Sequence, residues 1–341
     1  MSEADDGGIA PARAVRMKDI AEHLGLSQTT VSHVLTGKHR KFRISPATVE
    51  RVWRLAEKLG YRANVMARAF RERRSYAVCL AVEDLQNPFW AGIAIGAERE
   101  AEEHGYALVV TDLGGSAERQ RRALQLVRDQ RVDGLIVSPV RGGDSDLATA
   151  HRHGLPLVQV DRAVARLPVA CVRTDHEAGS VLALRHLLER GRRDVVYVGG
   201  PLDIPNYRQR LAGVRKELRR HGLKPADELV LDDSSPAEAE REVARVLRRM
   251  RRPFALFTAN YALTVGTLRA IRAAGRVVPD DVELVGFDDI PMADLLLYPV
   301  TTVAQDVSSI GREAVRLLLD VIRNGKRSAQ HVLLPPRLVP R

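Results

Sequence analysis

Residues 17–37 read MKDIAEHLGLSQTTVSHVLTG, and their spacing governs how the rest of the chain is read. Ile20, Ala21 and Leu24 fall on one helical face, and Thr30, Val31, Val34 and Leu35 form a second such face after Gly25. Two short helices joined by a tight turn result. Gly25 stands where the first helix must stop, because a residue without Cβ takes the left-handed conformation that such a stop favours. Ser27 offers an N-cap for the second helix. Ala21 is small where two steeply crossing helices approach closely, and Val31 fills the contact. This is helix-turn-helix spacing, although an ordinary helical hairpin in a larger core shares it.

The charge distribution points the same way. Of 341 residues, 45% are apolar and 28% charged, the composition of a chain with two or three domains and a sizeable core. The net charge is +10, yet residues 12–74 alone hold 15 Lys or Arg against 5 Asp or Glu. Residues 1–11 carry −3, and residues 75–341 hold 38 basic against 35 acidic side chains. A polyanionic partner for the one basic segment follows. The two cysteines, Cys79 and Cys171, lie in apolar surroundings and far apart, as buried free thiols in a reducing cytoplasm would. With no run of 18 apolar residues and no apolar leader at the N-terminus, we expect a soluble intracellular protein with no membrane partner.

Residues 1–14 have no periodicity and read as a tail. After the helix pair comes a basic loop, GKHRKFRIS (37–45); Ser45-Pro46 then supplies an N-cap and a first-turn proline for a third helix. Its apolar stripe is Val49, Val52, Trp53, Ala56 and Leu59, ended by Gly60, so residues 15–62 form a small three-helix module. Residues 63–74 are basic and amphipathic, either a short helix that orders when docked or a solvated linker. From Tyr76 the texture becomes apolar strands alternating with amphipathic helices, as in YAVCLAV, YALVVT, GLIVSP, LPLVQVD, VVYVGG, FALFTA and VELVGFDD. Such alternation specifies parallel sheets covered on both faces. Its length predicts two doubly wound subdomains, about 75–160 plus 291–325 and about 161–290 plus 326–341.

In such sheets ligands sit beyond the carboxyl ends of the strands. The residues there form a consistent set: the Asp84–Trp90 stretch with Phe89 and Trp90, Ser138, Asp161, Asn206 to Arg210, Asn260 and Asp288-Asp289. Rings for stacking with Asp, Asn and Arg for directional hydrogen bonds suit a polyhydroxylated or heterocyclic ligand. Singly, Phe89 and Trp90 also read as core, Asp288 as a turn cap and Arg210 as a solvated side chain.

The chain resembles the lactose-repressor (LacI/GalR) family of bacterial transcription regulators from about Val15 onward. The resemblance rests on MKDIAEHLGLSQTTVSHVLTG, SPATVERVWRLAEKLGYRAN, the NPFW after the first strand, RVDGLIVSP, GGPLDIPNYRQRLAG, VPDDVELVGFDD and YPVTTVAQD. It implies an all-α helix-turn-helix head joined to an α/β core resembling periplasmic sugar-binding proteins. It implies a homodimer whose paired heads read a pseudopalindromic operator in double-stranded DNA, under control of a small-molecule effector. By the same resemblance Gln28, Thr29 and His33 face base edges in the major groove, and Ser27, Thr30 and Ser32 meet phosphates. His33 departs from the family's usual Arg, Ala63 from a usual Pro, and Phe70 from a usual Leu in a hinge spanning Asn64 to Arg71. In that hinge Asn64 also faces DNA, and Phe70 is a competent minor-groove wedge.

The resemblance further implies that Phe89, Trp90, Asp161, Asn206, Arg210, Asn260 and Asp288 contact the effector, a set that favours a sugar or sugar derivative over a purine. Tyr261 stands where Asp is more usual. A transport protein with this core would want a leader and no basic head. An enzyme would want a phosphate-binding glycine loop, a nucleophile elbow or a metal-spaced His or Cys cluster, and the sequence has none, so no catalytic residue, metal or cofactor is expected. A small-molecule-binding protein or α/β enzyme with an unrelated basic head is the alternative.

Overall fold

The computed structural model describes residues 15–35, 39–59, 61, 74–251, 253–325 and 329–341. The chain divides into two compact units, Met1–Arg73 and Arg74–Arg341. The expected tail and the hinge residues Asn64 and Phe70 lie outside the described residues.

In the head, α1 (Met17–Leu24), α2 (Gln28–Leu35) and α3 (Pro46–Lys58) enclose a core of Ile20, Ala21, Val31, Val34, Val52 and Ala56. Gly25 ends α1 at φ 63°, the left-handed conformation its missing Cβ permits, and Leu26 donates back to the Ala21 carbonyl at 3.0 Å. The Ser27 hydroxyl accepts from the Thr30 amide at 3.0 Å and opens α2, and Ser45 does the same for Thr48 at 3.3 Å in α3. The α3 stripe differs from expectation at Trp53, which is 51% exposed. The buried face centres on Val52 and Ala56, with Val49, Leu55 and Leu59 beside them, and Trp53 falls about 100° round the helix from Val52.

The larger unit holds two six-stranded sheets. The first pairs β1 (Ala77–Val82), β2 (Ala107–Asp112), β3 (Gly134–Val137), β4 (Leu157–Val160), β5 (Cys171–Thr174) and β11 (His331–Leu334) in the order β11-β5-β4-β3-β1-β2. The second pairs β6 (Val195–Gly199), β7 (Asp227–Val230), β8 (Phe254–Thr258), β9 (Val282–Phe287), β10 (Thr301–Ala304) and β12 (Arg337–Val339) in the order β12-β10-β9-β8-β6-β7. All pairings are parallel except β10 with β12. Each sheet therefore has the same doubly wound order, with its switch point between its first and third strands. The helices are α4 (Pro88–Glu103), α5 (Ala117–Asp129), α6 (Asp144–Arg152), α7 (His176–Glu189), α8 (Pro205–Arg220), α9 (Pro236–Arg249), α10 (Tyr261–Ala273) and α11 (Val307–Asn324).

The expected subdomain boundaries need correction. Residues 171–174 and 331–334 belong to the first sheet, and residues 301–304 to the second. The chain crosses between sheets at Asp175, at Gln305-Asp306 and at Pro335-Pro336. CVRT, TTVA and HVLL are short strands beside these crossings, and pairing partners rather than composition decide which sheet takes them. Two crossings also start helices: Asp175 accepts from the Ala178 amide at 2.9 Å, and Asp306 from the Ser309 amide at 3.0 Å.

Helices α4 and α11 approach more closely than side chains permit, which explains glycine on both. A Cβ on Gly311 would sit 2.6 Å from the Ala97 nitrogen and overlap the Ile93 carbonyl oxygen, and one on Gly96 would overlap the Ser308 carbonyl. Backbone atoms inside a helix cannot rotate away, so this contact fixes α4, whose first turn carries Phe89 and Trp90. Cys79 and Cys171 are free and buried, and burial pushes their thiols up to about 11 and about 12. Among the described residues no helix is long and apolar enough to cross a membrane, and no group of His, Cys, Asp or Glu could hold a metal ion.

Candidate functional site

The strand ends of the two sheets meet across one cleft. Phe89, Trp90, Asp161, Asn206, Arg210, Asn260 and Asp288 all line it, with Glu83, Asn87, Arg162, Ile204, Tyr207 and Gln305. Ser138, also a strand-end residue, is buried and does not line the cleft.

Each side chain is held by its local structure. Asn87 caps α4 by accepting from the Phe89 amide at 3.1 Å, and Pro88 fixes the first turn. Phe89 and Trp90 then meet edge to face, 4.7 Å between centroids, as part of the first subdomain's core and as the cleft wall. Core and lining are one role here. Asp161 and Asp288 follow β4 and β9 directly, and both take left-handed backbone, at φ 67° and 76°. Non-glycine residues enter that region at a cost, so the two carboxylates are held in place by their surroundings. The Asp288 carboxylate accepts from Gln305 Nε2 at 2.5 Å and from the Tyr261 amide at 3.1 Å. Asp161 accepts from Asn206 Nδ2 at 2.7 Å, a bond that joins the two subdomains across the cleft.

Arg210 is 4% exposed, so the solvated alternative fails. It donates to the Ala259 carbonyl and, at 3.2 Å, to His176 Nδ1, and its guanidinium carbon lies 3.8 Å from the Phe287 ring centroid. Because arginine only donates, His176 Nδ1 accepts and its proton sits on Nε2, turned toward Asp161 Oδ1 at 4.0 Å. Burial, and then the charge of Arg210, hold the His176 imidazole well below its usual range and therefore neutral. Asn260 is more occupied than its position suggested. Its Oδ1 caps α10 on the Leu263 amide at 2.8 Å, and its Nδ2 donates to the Tyr207 hydroxyl at 2.8 Å. Asn206 Oδ1, Arg210 Nε and Gln305 Oε1 are buried without a hydrogen-bond partner among the described residues, two acceptors and a donor of the kind hydroxyl groups satisfy.

The cleft encloses about 50 Å³. Sites for small ligands usually measure roughly 300–1,000 Å³, so a ligand of that size enters only when the subdomains separate. The Asp161–Asn206 bond must then break. Burial pushes the Asp161 carboxyl above its usual 3.8, against the pull of Arg162 and Arg210. A raised folded-state value means that the ionised form weighs against the fold, a cost absent below about pH 4 and complete once pH passes the folded value. Asp161→Asn keeps the acceptor and removes the charge, so its melting temperature should exceed wild type at pH 7 and converge on it near pH 4. Equal shifts at both pH values would show that the charge is not the cause.

On the head, α2 buries Val31 and Val34 and turns the opposite face outward. Gln28 and Thr29 are exposed there, and Ser32 and His33 half-buried. Ser27 and Thr30 bond to each other through their hydroxyls at 2.8 Å. The His33 ring lies flat on Phe42 of the basic loop, 3.6 Å between centroids and 2° between planes.

The profile of bacterial regulatory proteins of the lacI family matches residues 16–64, and that of the periplasmic binding protein-like domain matches residues 184–341. The HTH-type transcriptional repressor PurR of Klebsiella pneumoniae is 30% identical over 329 residues, 95% of each chain. This chain belongs to the lacI family of bacterial regulatory proteins. It is a DNA-binding transcription regulator under small-molecule control, not an enzyme. Among solved structures, the lac repressor dimer bound to operator and the anti-inducer ONPF aligns at 28% identity and a TM-score of 0.83, over 96% of this chain and 98% of that one. A CelR–cellobiose complex aligns at 30% identity and 0.72, over 96% and 99%.

Four lining residues of this lacI-family regulator, Glu83, Arg162, Ile204 and Gln305, were missed by sequence reasoning, whereas Asn87 and Tyr207 lie within the strand-end stretches Asp84–Trp90 and Asn206–Arg210. Glu83 and Gln305 each follow a strand, so the strand-end rule extends to them, but Gln305 follows TTVA, which does not read as a strand. Arg162 adjoins Asp161 and pairs with Glu83 at the cleft. Ile204 directly precedes α8 and carries no polar pattern that marks it.

Proposed function

We propose that this lacI-family chain is a repressor whose head reads a pseudopalindromic operator as one half of a homodimer, and whose core binds a sugar or sugar derivative between its subdomains. In this reading Gln28, Thr29 and His33 face base edges while Ser27, Thr30 and Ser32 meet phosphates. Asn64 and Phe70 serve the hinge at the operator centre. Phe89, Trp90, Asp161, Asn206, Arg210, Asn260 and Asp288 hold the effector, the rings by stacking and the others by directional hydrogen bonds. The protein works in the cytoplasm, at the nucleoid when on its operator.

One observation carries the effector reading: the residues nominated one strand end at a time converge on a single cleft, bridged by the Asp161–Asn206 bond. A ligand that replaces that bond must favour one relative orientation of the subdomains, and differential affinity for two orientations is the requirement for control. The carboxylates, amides and rings favour a polyol-rich ligand, in keeping with the cellobiose of the CelR complex.

The test is footprinting of the full-length protein on the DNA upstream of its own coding sequence, with a panel of mono- and disaccharides, polyols and nucleobases. A protected palindrome of two half-sites whose occupancy responds to a carbohydrate is expected. Uniform protection with no half-sites would contradict the operator reading, and a response to nucleobases alone would contradict the sugar reading.

A further inference from the structure

The loop between α2 and α3 carries a feature that helix-turn-helix geometry alone does not require. Phe42 lies between Lys41 and Arg43, is 48% exposed, and takes no part in the buried cluster that holds the head together. Large aromatic side chains do not gain from such exposure. Its placement is nonetheless fixed. The amide of Arg43 closes a turn on the Arg40 carbonyl at 3.2 Å, and that of Ile44 closes on the His39 carbonyl at 3.0 Å. Arg43 takes left-handed backbone at φ 49°, and Ile44 packs against the head core. The turn therefore presents the Phe42 ring to one place, the flat face of His33.

Resting on the base-reading role proposed for His33, we infer that Phe42 is a positioning residue for operator specificity: it holds the His33 imidazole in the plane from which that ring reads a base edge. Imidazole nitrogens donate and accept in the plane of the ring, so a partner covering one face leaves both nitrogens available. The stack removes rotamer freedom before DNA arrives. Fixing one side chain in advance strengthens its contact by about threefold to tenfold, and only against the base it contacts. Lys41 and Arg43 flank the ring and act differently, since phosphate contacts strengthen binding to every sequence. Base reading thus draws on the loop as well as on α2.

The test measures relative affinities of the full-length protein for a selected operator and its single-base-pair variants, with His33→Ala, Phe42→Ala, Phe42→Trp and the double alanine variant. Phe42→Ala should lower discrimination about threefold to tenfold at the same base pair that His33→Ala affects. Phe42→Trp should retain it, and the double variant should discriminate no worse there than His33→Ala. Unchanged melting of the head ensures that the effect is not unfolding. If His33→Ala changes base preference while Phe42→Ala weakens all sequences equally, the positioning role is overturned and base reading by His33 stands. If His33→Ala leaves every preference unchanged, base reading by His33 fails, and the positioning role with it.

Discussion

Arg210→Ala is expected to abolish the effector response of DNA binding and to lower the melting temperature of the core by roughly 5–10 °C. Both effects follow from its surroundings. The guanidinium is buried against Phe287, bonded to the Ala259 carbonyl and His176, and offsets the charge of the buried Asp161 carboxylate. Removing one partner from a buried charge arrangement costs about 3–5 kcal/mol, because Asp161 is then left with Arg162 alone to offset its burial. For a domain of this size each kcal/mol moves the midpoint by about 2 °C or more. Arg210→Lys separates the two contributions. A lysine keeps the charge but loses the planar fork that meets a carbonyl and an imidazole together, so part of the stability should return and the response should not. Melting curves and operator titrations on the three proteins decide it, and a full response in Arg210→Lys would show that charge alone suffices.

Gly311→Val should also destabilise the core, although residue 311 touches no part of the cleft. Its Cβ would overlap the α4 backbone at Ile93 and Ala97, and a branched side chain forces the helices apart. Overpacking of this kind costs about 1–3 kcal/mol where side chains can yield. Here the opposing atoms are helix backbone, so we expect the upper end or more, read as a loss of about 5 °C or greater in the core transition. Moving α4 also moves Phe89 and Trp90, so effector affinity should fall alongside stability. Gly191→Ala is the control: that glycine has open space around its missing Cβ, and its φ of 78° confines any cost to backbone strain. Wild-type melting and affinity in Gly311→Val would contradict the close contact.

How far these features can be read in advance depends on their range. The head was legible because its signals are local: Gly25 and Ser27 act within a turn of the helices they end and begin. The cleft was legible because strand ends in a doubly wound sheet share one location, so Asp161, Arg210 and Asp288 could be nominated without knowing what they touch. Sheet membership of CVRT, TTVA and HVLL was not legible, since it depends on pairing over long separations: β11 meets β5 with some 160 residues between them. Nor could spacing show that Asn260 spends both ends of its amide on α10 and Tyr207, or that His176 backs Arg210. The Phe42 turn escaped for a similar reason, because its left-handed residue is Arg43 and not a glycine that would have marked it.

The central claim, that a ligand in the cleft sets the DNA affinity of the head, is tested most directly by measuring effector affinity twice, on the free protein and on the protein saturated with operator. Coupling free energies are reciprocal, so an effector that changes operator affinity must have its own affinity changed by the same factor, typically about 5- to 150-fold. The account predicts such a difference in wild type and none in Arg210→Lys. An effector that binds wild-type protein with one affinity, whether or not operator is present, would contradict it.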